Sequence, residues 1–303
     1  MSLETDLIVD RRRLKRRLFF WRTLAVLAIV GAVIAVVGKR PATAKLHLAR
    51  LTISGIITES RKQEEAVSAL AKDDRVPALV VFINSPGGSV AGGQGLHDAI
   101  ARVAAVKPVV AVMGGTAASA GYMVAAPASR IFARESTLTG SIGVLLETAQ
   151  ISNLLNTIGI SAEAITSGPL KDQPSLTRPL TPEGRAVLKD LVMDMYEQFV
   201  AIVASGRHME PDKVRSLADG RAYTGRQALA LGLVDQIGGE PEAREWLASN
   251  KGVSPDVPIE DLKPRTWTER ALNTVSGLLP APLARILLSQ GLRVDGAWAI
   301  WQL

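Results

Sequence analysis

Twice in this chain an apolar run of strand character meets a pair of glycines and gives way to a segment with helical spacing. That repeat narrows the possible folds more than any other feature. The first run, 78–84, meets Ser85-Pro86-Gly87-Gly88 before a helical stretch at 90–106. The second, 109–113, meets Gly114-Gly115 before an alanine-rich helix that starts near Ser119. Runs that are apolar at nearly every position belong to strands buried on both faces, as in parallel sheets covered by helices. Residues 47–58 add a β-rich stretch, 62–72 a helical one and 131–133 a short strand. Short loops between such units predict a right-handed coil of βαβ units. Farther on, Thr181-Pro182-Glu183 pairs a capping threonine with proline at the first helical position, launching a long amphipathic helix towards Ser205. Glu210-Pro211-Asp212 starts another helix, and Thr224-Gly225-Arg226-Gln227 opens one that stops at Gly232. Residues 162–165 read as an apolar strand leading into a loop that carries Lys171.

The N-terminus has a different character. Seven basic residues between Arg11 and Arg22 precede an apolar run, followed by Lys39 and Arg40. Together they predict a basic cytoplasmic segment at 1–17 and a transmembrane signal anchor at 18–40, with Arg22 snorkelling to the interface. Positive charge ahead of the span places the N-terminus in the cytoplasm and exports the remainder. A cleavable signal peptide, cut near Ala42-Thr43-Ala44, competes with the anchor; the long basic lead favours the anchor. Those seven residues exceed the whole formal net charge of +6, so the rest of the chain is near neutral and shows no footprint for nucleic acid. The basic cluster suits anionic lipid headgroups instead. The chain has no cysteine, which excludes disulfides, Cys-ligated metals and thiol catalysis. Its three histidines, His47, His97 and His208, lack metal-ligand spacing, and no metal is expected. Residues 46–250 form the expected globular domain. The tryptophan-bearing stretch 251–303 is an extension whose packing the sequence leaves open.

Ser119 sits at the strand-to-helix corner, where unpaired N–H groups and the positive helix end favour a developing oxyanion. Read alone, the same serine is equally an ordinary helix start. A nucleophilic serine needs a base. No histidine lies between Ser119 and His208, and His97 beside Asp98 reads as a helix-surface residue. The only lysines in that interval are Lys171 and Lys189. Lys189 falls on the long amphipathic helix and reads as solvated; Lys171, in its loop, is the better candidate, although a loop lysine taken alone is ordinarily solvated too. A lysine can serve as base when burial lowers its pKa well below about 10.4, and Ser–Lys pairs are a known variant of serine hydrolase chemistry. The Gly87-Gly88 turn suits an oxyanion nest. It is also consistent with a plain turn, or with polarising a thioester.

The order of the motifs is more specific than any one of them. Asn84-Ser85-Pro86-Gly87-Gly88 is followed by Ala-Ala-Ser-Ala-Gly-Tyr (117–122), Thr-Leu-Thr-Gly-Ser-Ile-Gly-Val (137–144) and Ser-Gly-Pro-Leu-Lys-Asp (167–172). Asp-Gly-Arg-Ala-Tyr-Thr-Gly (219–225) and Ala-Leu-Ala-Leu-Gly-Leu-Val-Asp (228–235) complete the series. Over about 51–239 the chain resembles the short, single-domain form of the signal peptide peptidase A (protease IV) family of membrane-anchored serine proteases. The resemblance implies a Clp-protease/crotonase-like α/β spiral, with Ser119 as nucleophile, Lys171 as general base and Ser141 orienting the lysine. Gly87, Gly88, Ser119 and Ala120 would supply oxyanion donors. Ala120 departs from the family, which often has glycine there, and its methyl could narrow the site. The resemblance further implies cleavage of remnant signal peptides and other apolar peptides without a cofactor. It also implies a homo-oligomer, an octamer in the short form, with sites shared between protomers. The catalytic domain would face the extracytoplasmic side of a bacterial inner membrane. A crotonase-like acyl-CoA enzyme and a catalytically inactive membrane scaffold are the alternatives.

Overall fold

The two apolar runs form the centre of the sheet. The computed structural model describes residues 17–28 and 46–262. Residues 17–28 are helical (α1) and exposed. Among the described residues no helix is long and apolar enough to cross a membrane; the expected span at 18–40 continues past residue 28, outside them.

Leu46–Pro264 forms one compact unit. Its strands are β1 (Leu48–Ile57), β2 (Leu79–Gly88), β3 (Val109–Ala118), β4 (Arg130–Ala133), β5 (Leu138–Gly140), β6 (Ala222–Thr224), β7 (Gln236–Ile237) and β8 (Ile259–Asp261). They make one sheet ordered β6-β5-β3-β2-β1-β8, with β4 pairing β3 and β7 off that path. Every pairing is parallel except β5–β6, so the sheet is mixed. The helices are α2 (Arg61–Ala69, continued by a 3-10 turn at Leu70–Lys72), α3 (Val90–Ala104), α4 (Ala120–Ala125), α5 (Ser152–Thr157), α6 (Pro182–Arg207), α7 (Pro211–Leu217), α8 (Gly225–Leu231) and α9 (Glu240–Lys251).

Successive strand side chains point to opposite faces, and β2 divides its residues accordingly. Leu79, Val81 and Ile83 join the larger core with Leu96, Tyr122 and Phe199. Val80 joins the smaller core with Val110, Phe132 and Leu247 of α9. The caps are those expected from sequence. Thr181 Oγ1 accepts the Gly184 N–H at 3.0 Å, and Thr224 Oγ1 accepts the Gln227 N–H at 3.3 Å. Gly232 ends α8 with φ 79°.

Three expectations need correction. The glycine pairs do not end their strands: β2 runs on to Gly88 and β3 to Ala118. Instead β3 changes partner there, pairing β4 over Val110–Val112 and β5 over Thr116–Ala118. Across the same step its pairing with β2 jumps from Ile83↔Met113 to Ser85↔Ala117. The Asn84 side chain bridges this irregularity, its Oδ1 accepting the Thr116 N–H at 3.2 Å. A Cβ at Gly114 would stand only 3.2 Å from both Asn84 Cβ and Phe82 Cζ, which is why the bend carries glycine. Secondly, 162–165 is not a strand; Ile165 is 96% exposed. The run pairs with no strand of the sheet. Thirdly, the compact unit passes the expected boundary at 250, because β8 pairs β1 and Val253 is buried.

Candidate active site

The bend in β3 sets up the corner that follows. Ser119 leaves the strand with φ 54° and ψ −125°, a backbone conformation uncommon for a residue with a Cβ. Its N–H donates to Gly140 O at 2.9 Å, and its carbonyl accepts from the N–H groups of Tyr122 and Met123 at 2.8 and 3.0 Å. The main chain is thus clamped on both sides while the hydroxyl makes no capping hydrogen bond. The corresponding serine after β2 behaves differently: Ser89 Oγ accepts the Gly92 N–H at 3.1 Å and caps α3. Two similar strand-to-helix corners therefore give one capping hydroxyl and one with no hydrogen bond among the described residues.

Gly87 lies directly against Ser119. With φ 120°, a Cβ on it would come within 2.7 Å of Ser119 Cβ and 3.2 Å of Oγ. Gly88 is equally constrained, since a Cβ there would reach 2.0 Å from Ile57 O. Of the four expected oxyanion donors, two N–H groups are already committed. Gly87 donates to the buried Ser85 Oγ at 3.1 Å, and Ser119 donates to Gly140 O. Gly88 and Ala120 are left. The helix ladder begins with the N–H groups of Tyr122 and Met123, so the Ala120 N–H has no acceptor within α4. The Ala120 methyl does not narrow the site: it is buried against α3, where a Cβ on Gly93 would meet it at 2.9 Å.

Ser141 comes to the same place through the β3–β5 pairing that ends at Ala118↔Gly140. Its φ of 48° and a hydrogen bond from its N–H to Arg221 O at 2.9 Å hold it just past the strand. Ser119, Ser141 and Gly88 line one cleft of about 590 Å³. Val144, Leu145, Val192, Met193 and Tyr196 give it an apolar lining. Asp219 also borders it, but its carboxylate is held below the usual range by hydrogen bonds from Arg221 Nε at 2.9 and 2.7 Å. The Tyr196 phenol is pushed up, mainly by burial and then by Glu197. Sequence reading passed over these α6 residues; Val192 and Tyr196 stand one helical turn apart, a spacing that also describes any packed helix face.

Lys171 does not line this cleft. It is exposed, in a loop where Asp172 is instead paired with Arg178. His97 is bonded to its neighbour, Nδ1 to Asp98 Oδ1 at 2.9 Å, and lines a separate cavity.

Comparison with known proteins bears on the family of the chain. The model of peptidase family S49 matches residues 101–254, and that of Clp protease matches 31–140. The chain is 41% identical over 222 residues to a Synechocystis protein named as protease slr0021, covering 72% of this chain and 80% of that one. It is 34% identical over 227 residues to an Enterococcus faecium protein named for signal peptide peptidase SppA, covering 70% of this chain and 66% of that one. Among solved structures, a ClpP1 mutant from Listeria monocytogenes superposes with TM-score 0.42 at 19% identity, covering 64% of this chain and 92% of that one.

Proposed function

The chain belongs to peptidase family S49 and is a serine protease, and from that premise we propose that it hydrolyses peptides with a Ser119–Lys171 dyad completed between two copies of the chain. The observation that carries this reading is the Ser119 hydroxyl: uncapped, clamped through its main chain, and opening with Ser141 on an apolar cleft. Lys171 of a neighbouring copy would enter that cleft, where Ser141 orients its amine. The exposed apolar surface of 145–176 supports such an assembly, an octamer by family resemblance.

In the proposed reaction the neutral Lys171 amine takes the Ser119 proton as Oγ attacks the scissile carbonyl carbon. The N–H groups of Gly88 and Ala120 hold the resulting oxyanion. As the tetrahedral intermediate collapses, the C–N bond breaks and Lys171 returns the proton to the leaving amine. Water, deprotonated by Lys171, then attacks the acyl ester, and the proton goes back to Ser119. Apolar peptides, cleaved signal peptides among them, match the cleft lining. We further propose that 18–40 tethers the chain to a bacterial cytoplasmic membrane, with the N-terminus cytoplasmic, lipid headgroups around the basic segment and the protease domain outside.

The test uses the full chain in detergent with synthetic signal peptides and fragment masses as readout. Ser119→Ala and Lys171→Met should each be inactive, and oligomers assembled from both should regain cleavage. Full activity in either single variant would end the dyad assignment. Inactive mixed oligomers that demonstrably contain both variants would end the shared site.

A further inference from the structure

The chain has three tyrosines, and two of them are tied internally. Tyr122 Oη donates to Leu233 O at 2.8 Å and Tyr223 Oη to Leu217 O at 3.0 Å, and both residues are buried. Tyr196 differs. It stands half-buried in the wall of the Ser119 cleft, and its hydroxyl has no hydrogen-bond partner among the described residues. The hydroxyl is not among the sealed polar atoms that lack a partner, so in the free cleft its hydrogen bonds go to water. A peptide entering the cleft carries carbonyl and N–H groups that can take the place of that water.

The surroundings favour this role over a packing one. Two other lining residues, Gly143 and Gly220, bring no side chain; their backbones abut, with the Gly220 N–H donating to Ile142 O at 3.1 Å. The bordering carboxylate, Asp219, is already paired with Arg221, which leaves no free charge to select a cationic side chain. Selection in this cleft therefore falls to shape and to the one unengaged phenol.

We propose that Tyr196 is a substrate-contacting, specificity-determining residue: its ring bounds the apolar pocket beside Ser119 and limits the side chain admitted, and its hydroxyl hydrogen-bonds the main chain of the bound peptide. The inference rests on Ser119 being the nucleophile. The test is steady-state cleavage by the full chain in detergent, using fluorogenic tetrapeptides in which each position in turn carries Ala, Leu or Trp. Tyr196→Phe should raise KM about five- to tenfold with kcat within about twofold, the range expected for one lost hydrogen bond that forms in both ground and transition states. Tyr196→Ala should raise the Trp-to-Leu ratio of kcat/KM about tenfold or more at one position. An unchanged KM in Tyr196→Phe, or an unchanged side-chain ranking in an active Tyr196→Ala, overturns the assignment. If Tyr196→Ala fails to fold, the Tyr196→Phe KM decides alone. Ser119→Ala, assayed in parallel, separates the two failures: its activity would remove the underlying reading, whereas its silence beside indifferent Tyr196 variants removes only this one.

Discussion

The corner at Ser119 and the stretch that carries Lys171 are built on opposite terms. Around Ser119 every constraint comes from the chain's own backbone: Gly140 O on its N–H, α4 on its carbonyl, and Gly87 against its Cβ. Beneath it lies a core in which Ile83, Ala117 and Tyr122 have no exposed surface. From Leu145 to Leu176, by contrast, Ser175 is the only buried residue, and α5 buries none. Leu145, Leu154, Ile158 and Ile165 are all more than half exposed there. Apolar surface of that extent usually marks an interface. The difference teaches that the proposed nucleophile is positioned by folding alone, whereas the proposed base lies on a surface that the described residues leave uncovered.

The largest expected effect tests the first half of that contrast. Ser119→Ala should lower kcat/KM by about 10³-fold or more, by analogy with nucleophile removal in other serine proteases, with an unchanged melting temperature. Comparable peptide hydrolysis in this variant would break the comparison outright. Gly87→Ala comes next: its new methyl would meet Ser119 Cβ at 2.7 Å and sit at φ 120°. Activity should fall about 100-fold, with stability down by about 1–3 kcal/mol from the strained backbone. Assay and denaturation on the same sample would read both.

A paired comparison sharpens the contrast in stability. Phe132→Ala, at a fully buried position, should cost about 3–5 kcal/mol in chemical denaturation. Ile165→Ser, at a 96% exposed position, should stay within about 0.5 kcal/mol for the dissociated chain yet weaken assembly in sedimentation. Equal destabilisation by both would show that 145–176 packs onto the domain after all. The smallest effect concerns acid. Asp73 is held at about 2, chiefly by its hydrogen bond from Arg75. Its folded pKa is depressed, so its contribution is complete above the ordinary carboxylate range and disappears as pH falls towards 2. Asp73→Asn should flatten that part of the stability curve slightly, because the pair faces water.

Much of the fold was legible because its signals are local. The uniform apolarity of 78–84 and 109–113 marked the central strands, and Thr181, Thr224 and Gly232 marked helix ends through side-chain caps and a left-handed glycine. What failed were inferences about partners. The glycine pairs looked like strand ends because no local signal reports that a strand can change neighbours and continue. Residues 162–165 had strand composition but pair with no strand of the sheet. Two of the four anticipated oxyanion donors proved occupied, which depends on where Ser85 Oγ and Gly140 O come to rest. Tyr196 went unnoticed because a tyrosine on a helix face gives no hint of whether its hydroxyl will find a carbonyl.

From sequence alone came the alternation of strands and helices, the serine at a strand-to-helix corner, and the family to which the chain belongs. Steric limits on the backbone and side-chain periodicity act over a few residues, so they are written in the order of the chain. Tertiary structure alone decided that Ser141 stands in the Ser119 cleft, that the Ala120 methyl packs against α3, and that Lys171 is left outside. Those outcomes depend on pairings between segments tens of residues apart, which only the folded sheet brings together.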